Sequence, residues 1–187
     1  PQPLDGVRDA VARWPLVKAA LRTTPARVDR PAVQEVVLRG AEVDVFALPV
    51  QTCWPGEPAP LITWPLVITR PPGTEATSRY NAGVYRMQLL QRDRAIVRWL
   101  PHRGGAAHHR LWADRNADMP VAVVIGADPA TMLSAVMPLP EGISELRFSG
   151  VLRGERPRLA HCVTQPLLVP ADAETVLEGP VPATEPR

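Results

Sequence analysis

Twenty-three prolines are scattered, rather than clustered, along this chain of 187 residues. Proline fixes φ and has no amide hydrogen, so it breaks helices and is confined to the edges and turns of sheets. A chain punctuated in this way favours short strands and many turns over long helices. We therefore expect a mainly β protein with flanking helices, in the α+β class.

Short β-branched runs bounded by turn residues indicate the strands. They are expected at residues 61–69, 84–90, 95–100, 121–125, 159–164 and 175–177. Helices are expected near residues 106–114 and at 128–136, where Asp128 can cap a helix that begins with Pro129. Many short strands with turn signals predict a closed or split β-barrel. The sequence has neither GxGxxG nor a P-loop motif, which excludes dinucleotide-binding and nucleoside-triphosphatase folds of those types.

The chain is long enough to bury one good core. We expect a helical or mixed segment at residues 1–42, with a helix over 5–22, and a barrel domain at 43–187. Residues 32–48 are predicted as a short helix or strand followed by a clear strand. The two cysteines form no CxxC pair, and no uncharged run reaches the roughly 18 residues of a membrane span. A reducing cytoplasm is therefore the expected location.

Positive charge is concentrated in one part of the sequence. Residues 70–115 hold nine arginines against three carboxylates, a local formal charge of +6 in a chain whose total is +2. Three of the four histidines lie in the same stretch. A local positive region on a nearly neutral protein indicates a bound anion, whereas a nucleic-acid-binding protein is more often basic throughout.

The positive stretch contains a predicted hairpin. Strands 84–90 and 95–100 flank the polar turn 91–94 and should pair antiparallel. A four-residue turn places residue 83 opposite His102, which brings Asn81 close to His102 but leaves Arg86 on the other face. A turn of three or five residues puts Arg86, Arg98 and His102 on one face. We favour that shifted register, although the sequence alone leaves both open.

A candidate metal site combines Asn81 and His102 with the distant Glu145. An amide, an imidazole and a carboxylate suit Mn²⁺ or Mg²⁺, with a phosphate and water completing the octahedron. The adjoining Arg103-Gly104 and the glycine that follows can offer main-chain N–H groups to phosphate oxygens.

Taken singly, each of these residues has an ordinary structural explanation. Asparagine favours turns, and an isolated histidine or glutamate is usually a solvated surface residue. The pair His108-His109 is expected on a solvated face. Glu174 and Glu178 are expected to be structural residues of a strand, because β-branched residues lie between them.

Several segments in order carry a resemblance to a known family. They are Pro-Val-Gln-Thr-Cys53-Trp54-Pro-Gly-Glu, Asn81-Ala-Gly-Val-Tyr-Arg86, Arg98-Trp-Leu-Pro-His102-Arg-Gly-Gly, Gly126-Ala-Asp-Pro-Ala-Thr, Gly142-Ile-Ser-Glu145 and Val169-Pro-Ala-Asp-Ala-Glu174. Together they resemble the UbiD family, most strongly from about residue 43 to residue 179. The resemblance implies a split β-barrel of the flavin-reductase or FMN-binding type that holds prenylated FMN.

The resemblance also implies a role for each matching residue. Asn81, His102 and Glu145 would bind Mn²⁺, and main-chain groups at Ser134, Ala135 and Met137 would hold K⁺. Arg86 would be the catalytic arginine. Contacts to the cofactor would come from Val84, Tyr85, Arg86, Arg98, Trp99, Leu100, Arg103 and Gly104.

The implied reaction is the non-oxidative decarboxylation of an aromatic acid that carries a polyprenyl chain, in ubiquinone biosynthesis. The cofactor would act as electron sink. The parent protein would be a cytoplasmic homo-oligomer, with peripheral association at the inner membrane as an alternative. The family's catalytic acids lie in a Glu-Gly-Pro-Phe/Tyr-Gly-Asp/Glu motif expected just beyond Arg187. We therefore expect this chain to be a cofactor-binding core with little activity by itself.

Two other function classes compete with this interpretation. A non-catalytic flavin-binding module or a flavin reductase would hold phosphate without a cation site. An RNA-binding barrel would carry exposed aromatic residues interleaved with basic residues on its strands. The tryptophans at 54, 64 and 99 lie instead in apolar or proline-rich settings, so RNA binding is the least favoured alternative.

Overall fold

A computed structural model of the chain describes residues 18–140 and 142–184. In this part, residues 18–22 are helical and short 3₁₀ turns lie at Ala32–Gln34, Gly40–Glu42, Val45–Ala47 and Thr77–Arg79. Three longer helices are α1 (Gly104–Ala113), α2 (Pro129–Val136) and α3 (Glu145–Arg153). The strands are β1 (Ala26–Arg27), β2 (Leu61–Ile62), β3 (Leu66–Thr69), β4 (Asn81–Val84), β5 (Met87–Gln91), β6 (Arg94–Val97), β7 (Met119–Ile125), β8 (Arg158–His161), β9 (Leu168–Pro170) and β10 (Thr175–Val181).

The centre of the fold is a four-stranded antiparallel sheet in the order β10-β7-β3-β4. Alternate residues of β3 enter different apolar clusters. Leu66 and Ile68 pack with Leu146 of α3 on one face, and Val67 packs with Met87 and Leu89 of β5 on the other. Because both faces are covered, β3 and β7 are almost continuously apolar rather than alternating.

Two segments of the chain pass from one sheet to another. The chain leaves β2 at Ile62 and enters the central sheet at Leu66, and it leaves that sheet at Val84 and enters β5 at Met87. Strands β2, β5 and β6 form a separate three-stranded sheet. The predicted strands 61–69 and 84–90 are therefore each broken in two. The second break places Tyr85 and Arg86 between the sheets, where the backbone belongs to neither ladder.

A third sheet has the order β1-β8-β9, with β1 parallel to β8. Helices α2 and α3 pack against each other, and Ser134 of α2 donates a hydrogen bond to the carbonyl of Glu145 at 2.6 Å. Asp128 caps α2 as predicted, because its side chain accepts from the amides of Ala130 and Thr131. These contacts fix the start of α3 beside the end of α2.

The α+β class and a majority of the predicted strands are confirmed, but several details were wrong. The strand expected within residues 32–48 is replaced by 3₁₀ turns. Helix α3 and strands β1 and β9 were not predicted, and of β4 only Val84 lay in a predicted strand. Most of the helix predicted over 5–22 lies outside the described residues. The described part contains three separate sheets and no closed barrel. A split barrel of the flavin-reductase type therefore stays a prediction.

Candidate functional site

An open cleft of about 480 Å³ lies where the chain crosses between the central sheet and the β2-β5-β6 sheet. Three exposed arginines line it with no carboxylate among the lining residues, so the cleft suits an anion. One wall is apolar, which suits a flat or hydrocarbon group. The lining residues are Gly83, Val84, Tyr85, Arg86, Arg98, Leu100, Arg103, Ala135 and Val136.

The hairpin β5–β6 has the shifted register. Leu89 lies opposite Ala95 and Met87 opposite Val97, with an irregularity between Leu89 and Gln91. Continued outward, this register sets Arg86 opposite Arg98, and both side chains line the cleft. The preference for a shifted register is thus confirmed, and its cause is an extra residue accommodated beside the turn.

The side chains of residues 98–100 point alternately into the cleft and into the protein interior. Arg98 and Leu100 line the cleft, whereas the ring of Trp99 points to the interior. There Trp99 meets Tyr85 edge to face, with ring centroids 4.8 Å apart. Its indole Nε1 is buried without a hydrogen-bond partner in the described part of the chain. Any cofactor contact by residue 99 would therefore come from its main chain.

Tyr85 ties the crossing segment to the start of α1. Its hydroxyl accepts a hydrogen bond from the amide of Gly105 at 3.2 Å. A side chain at residue 105 would collide with the Trp99 ring, so only glycine allows this close approach. The first turn of α1, which no side chain caps, is thereby held beside the cleft with Arg103 at its N-cap position. Uncapped N–H groups at a helix start are well suited to a phosphate.

Asn81 lies against the same helix start. A Cβ atom at residue 104 would overlap the amide group of Asn81, so Gly104 is required for this packing. The amide nitrogen Nδ2 of Asn81 is buried and has no hydrogen-bond partner among the described residues. A buried donor without an acceptor is unfavourable, and a bound acceptor such as a phosphate oxygen would remove the cost.

Glu145, the first residue of α3, reaches the neighbouring residue of the same edge strand. Its Oε2 accepts a hydrogen bond from the amide of Ala82 at 2.9 Å. Burial raises the pKa of this carboxyl, and the N–H groups of Ala82 and of Glu145 itself partly oppose that shift. Adjacent residues of β4 thus meet two different helices: Asn81 abuts Gly104 of α1, and Ala82 bonds Glu145 of α3.

His102 lies outside the hairpin pairing. The register that was not favoured, which sets residue 83 opposite His102, does not occur, because β4 pairs with β3 and Gly83 lies opposite Val67. His102 lies instead in the exposed turn before α1, two residues from the Gly104 that abuts Asn81. Its imidazole makes no hydrogen bond within residues 18–140 and 142–184.

The residues expected to hold K⁺ surround the end of α2. Ser134 is fully buried against Glu145, Ala135 lines the cleft, and Met137 follows the last helical residue. The last four carbonyls of a helix have no partner within the helix and carry its negative end. This end is therefore a suitable place for a monovalent cation.

The residue types predicted for the metal site suit a hard divalent cation. It would combine an amide oxygen, an imidazole nitrogen and a buried carboxylate, which are ligands that Mn²⁺ accepts. Among the described residues no cluster of three His, Cys, Asp or Glu side chains is found. The predicted set has only two such residues, since Asn81 supplies the third donor.

Two histidines expected on a solvated face are partly buried and bonded instead. His108 Nδ1 lies 2.9 Å from the hydroxyl of Thr69, and His109 Nε2 lies 3.0 Å from the carbonyl oxygen of Pro182. The expectation was wrong because both residues belong to α1, whose inner side covers the central sheet. Neither Thr69 nor Val136 was singled out from the sequence. The glycine pair at the start of α1 is the signal that could have located the covered face.

Glu178 makes structural contacts, as predicted, and Glu174 lies just before the last strand rather than in it. Glu178 of β10 accepts hydrogen bonds from the main chain of residues 163–165, and Glu174 packs against Gly126. The tryptophans at 54 and 64 are exposed, but they lie in loops rather than on strands. They do not form the aromatic strand face of an RNA-binding barrel. No helix in the described ranges is long and apolar enough to cross a membrane.

Solved structures share this fold. A vanillic acid decarboxylase of Sedimentibacter hydroxybenzoicus in closed form has a TM-score of 0.80 and 25% identity, covering 94% of this chain and 38% of its own. The UbiD-class enzyme HmfF of Pelotomaculum thermopropionicum in complex with FMN has a TM-score of 0.77 and 27% identity, with 89% and 37% covered. An evolved dimeric form of HmfF in complex with prenylated FMN has a TM-score of 0.77 and 28% identity, with 89% and 39% covered.

The chain spans less than two fifths of the length of these enzymes. A family model described as 3-octaprenyl-4-hydroxybenzoate carboxy-lyase Rift-related domain matches residues 26–187. The match includes every residue of the cleft and of the junction between Asn81, Gly104 and Glu145. This chain belongs to the UbiD family.

Proposed function

We propose that this chain is the prenylated-FMN-binding core of a non-oxidative aromatic acid decarboxylase. The observation that carries the proposal is the cleft, which gathers six of the eight residues expected to contact the cofactor. These six residues lie up to 19 positions apart in the sequence, and the β5–β6 hairpin and the start of α1 bring them together. HmfF, which is 27–28% identical over 89% of this chain, has been solved with FMN and with prenylated FMN.

The phosphate of the cofactor would lie at the cationic end of the cleft. Arg98 and Arg103 would bind its oxygens through charge-assisted hydrogen bonds, and the first turn of α1 would add main-chain N–H groups. The apolar wall that includes Leu100 and Val136 would face the ring system. The side chain of Tyr85 would hold the helix start in place through its bond to Gly105.

Arg86 would be the catalytic arginine. It lies at the crossing between two sheets, where no ladder bond fixes its main chain, and its exposed guanidinium lines the cleft. A guanidinium in this position can fork onto a substrate carboxylate and orient it, or stabilise negative charge that develops beside it. The prenylated flavin, when bound, supplies the electron sink for loss of CO₂.

Mn²⁺ would be held by Asn81, His102 and Glu145, and would neutralise the cofactor phosphate. Support comes from the buried carboxylate of Glu145, which bonds the residue of β4 next to Asn81. The amide oxygen of Asn81 would be its cation ligand, and the unpartnered Nδ2 would donate to a phosphate oxygen. A rotation of the exposed His102 side chain would supply the third ligand. K⁺ would lie at the end of α2, near main-chain groups of Ser134, Ala135 and Met137.

For the parent protein we propose the decarboxylation of 4-hydroxy-3-polyprenylbenzoate to 2-polyprenylphenol, in ubiquinone biosynthesis. It would act as a homo-oligomer in the cytoplasm, or peripherally at the inner membrane. The domain division proposed is a mixed segment over residues 1–42 and a split-barrel domain over 43–187. We expect the chain alone to bind cofactor with little turnover, because the family's Glu-Gly-Pro-Phe/Tyr-Gly-Asp/Glu motif is not among its residues. Turnover near that of an intact enzyme would overturn this expectation.

Binding of FMN in the presence of Mn²⁺ tests the proposal through two arginines at opposite ends of β6. Replacing Arg98 by Gln should weaken FMN binding by roughly tenfold or more, since a charge-assisted hydrogen bond contributes about 1.5–3 kcal/mol. Arg94→Gln is the matched control, because Arg94 is the first residue of β6 and lies outside the cleft, whereas Arg98 follows the last residue of β6. Flavin fluorescence quenching would give both affinities. Equal weakening by the two variants would contradict the assignment of the cleft.

A further inference from the structure

One buried hydrogen bond joins α1 to the central sheet outside the cleft. Thr69, the last residue of β3, is fully buried, and its hydroxyl lies 2.9 Å from Nδ1 of His108. The proposed mechanism does not use either residue. Helix α1 makes a second polar contact with the sheet region through Trp112, whose indole N–H donates to the carbonyl of Arg70 at 2.8 Å.

The position of this bond relates directly to Asn81. Thr69 lies opposite Asn81 in the β3–β4 ladder, so the two side chains leave the same face of the sheet about 5 Å apart. On the helix, His108 follows Gly104 by four residues, so these two positions share a face and are separated by about 6 Å along the axis. Gly104 abuts Asn81 and His108 bonds Thr69. Two neighbouring points of the helix therefore rest on two neighbouring points of the sheet.

Two contacts restrict the position of α1 on the sheet more than one contact does. The packing of Gly104 on Asn81 alone would allow the helix to rotate about that point or to slide along the strand. The bond between His108 and Thr69, one helical turn away, prevents both motions. It therefore also fixes the distance between the Asn81 amide and the start of α1. The amide and the first turn of α1 are then kept at one separation before any ligand arrives.

We propose that His108 and Thr69 act as a positioning pair for the cation-binding amide of Asn81. This inference rests on the proposed function, because it concerns the same cation site. Neither residue is expected to touch the cation. Both act through the placement of α1, on which the proposed phosphate contacts also depend.

The electrostatics of the pair agree with this role. Burial lowers the pKa of His108 to about 4, and the nearby Arg79 guanidinium adds to the shift. The imidazole is therefore neutral at pH 7 and adds no positive charge next to a proposed cation site. A neutral ring can also share a single well-directed hydrogen bond with a buried hydroxyl without a charge to desolvate.

The test is the affinity of the chain for Mn²⁺ in the presence of FMN, followed by the electron paramagnetic resonance signal of free Mn²⁺. Thr69→Val removes the hydroxyl at constant volume and His108→Leu removes the ring nitrogen. Each should raise the Kd for Mn²⁺ by about tenfold, the lower end of the effect of residues that orient metal ligands. Thr69→Ser and His108→Asn keep a polar atom in place, and we expect them within about threefold of the wild type. The double variant Thr69→Val/His108→Leu should have a Kd for Mn²⁺ no more than about twofold above that of either single variant.

His109 provides the matched control, because it forms a bond of the same kind from the same helix to the carbonyl of Pro182. His109→Leu should lower the melting temperature about as much as His108→Leu but leave the Kd for Mn²⁺ within about twofold. The inference is overturned if His109→Leu weakens Mn²⁺ binding as much as His108→Leu. It is also overturned if Thr69→Val binds normally while Asn81→Ala does not. Equal binding by the wild type and Asn81→Ala would instead remove the proposed cation site, and the inference would fall with it.

Discussion

Glu178 should be among the most sensitive carboxylates in the chain to neutral substitution. Its two oxygens accept from the amides of Val163, Thr164 and Gln165 at 2.8, 2.5 and 3.2 Å, and from the Thr164 hydroxyl at 2.6 Å. One side chain of β10 thereby holds the turn that joins β8 to β9. The same turn contributes the carbonyl of Pro166 to the buried guanidinium of Arg70. Loss of the clamp would therefore disturb the central sheet as well as the turn.

The expected magnitude follows from the charge of the acceptor. A hydrogen bond to a charged group contributes about 1.5–3 kcal/mol, and the four bonds share one side chain, so they do not add. Glu178→Gln keeps the shape but places an amide group against N–H donors. We expect a loss of about 2–3 kcal/mol in the free energy of unfolding, or roughly 5–10 °C in the melting temperature for a chain of this size.

Urea unfolding followed by circular dichroism measures this loss, and Glu174→Gln is the control. Glu174 lies four residues earlier, is exposed and accepts no hydrogen bond from the described residues. We expect that variant to stay within about 0.5 kcal/mol of the wild type, as most surface substitutions do. A Glu178→Gln variant as stable as Glu174→Gln would show that the clamp contributes nothing, and the reasoning from its bond lengths would be refuted.

Three further predictions concern the helix that borders the cleft. His108, with its pKa lowered from 6.5 to about 4, adds stability that is complete above pH 6.5 and lost as the pH falls toward 4, because only the unfolded chain then takes up the proton. After allowance for solvent, stability should drop by about 1 kcal/mol more in the wild type than in His108→Asn between pH 7 and 5, and parallel urea curves would disprove it. Gly104→Ala should abolish Mn²⁺ binding measured by paramagnetic resonance, since its Cβ would displace Asn81, whereas Gly179→Ala, which meets nothing within 4 Å, should bind normally. Tyr85→Phe should cost about 1 kcal/mol in urea unfolding by leaving the Gly105 amide without its acceptor, and an unchanged midpoint would contradict that bond.

Strands β3, β7 and β10 of the central sheet could be predicted because their residues carry the information locally, whereas β4 could not. Residues 121–125 are β-branched and apolar, and Asp128-Pro129 has the chemistry of a helix start, so both elements lie where the sequence indicated. Glu145 could be placed in the site only through the family resemblance. Neither its spacing nor its neighbours reveal that α3 begins there and that its carboxylate meets the edge of β4.

The register and the sheet breaks are tertiary effects. A four-residue turn at 91–94 is reasonable from composition, but packing of Leu89 in the apolar cluster beside Ile62 selects a pairing with one extra residue. The break between β4 and β5 is equally invisible in the sequence, since Val84, Tyr85 and Met87 all have strand propensity. It exists because Tyr85 packs on Trp99 and bonds to α1, contacts between residues that are distant along the chain.

The parallel pairing of β1 with β8 also bears on the order of folding. Ala26 lies opposite Arg158, and residues 23–28 are held by hydrogen bonds to residues 147–159. Closing a loop of that length costs about 3 kcal/mol more entropy than closing the β5–β6 turn, because each doubling of loop length adds about 0.6 kcal/mol. The hairpin beside the cleft should therefore form early, and the segment at residues 23–28 should dock last, after the central sheet has brought its two ends together. Pulse-labelling hydrogen exchange would reveal the order, with the amides of Ala26 and Val28 protected after that of Leu89, and simultaneous protection would rule it out.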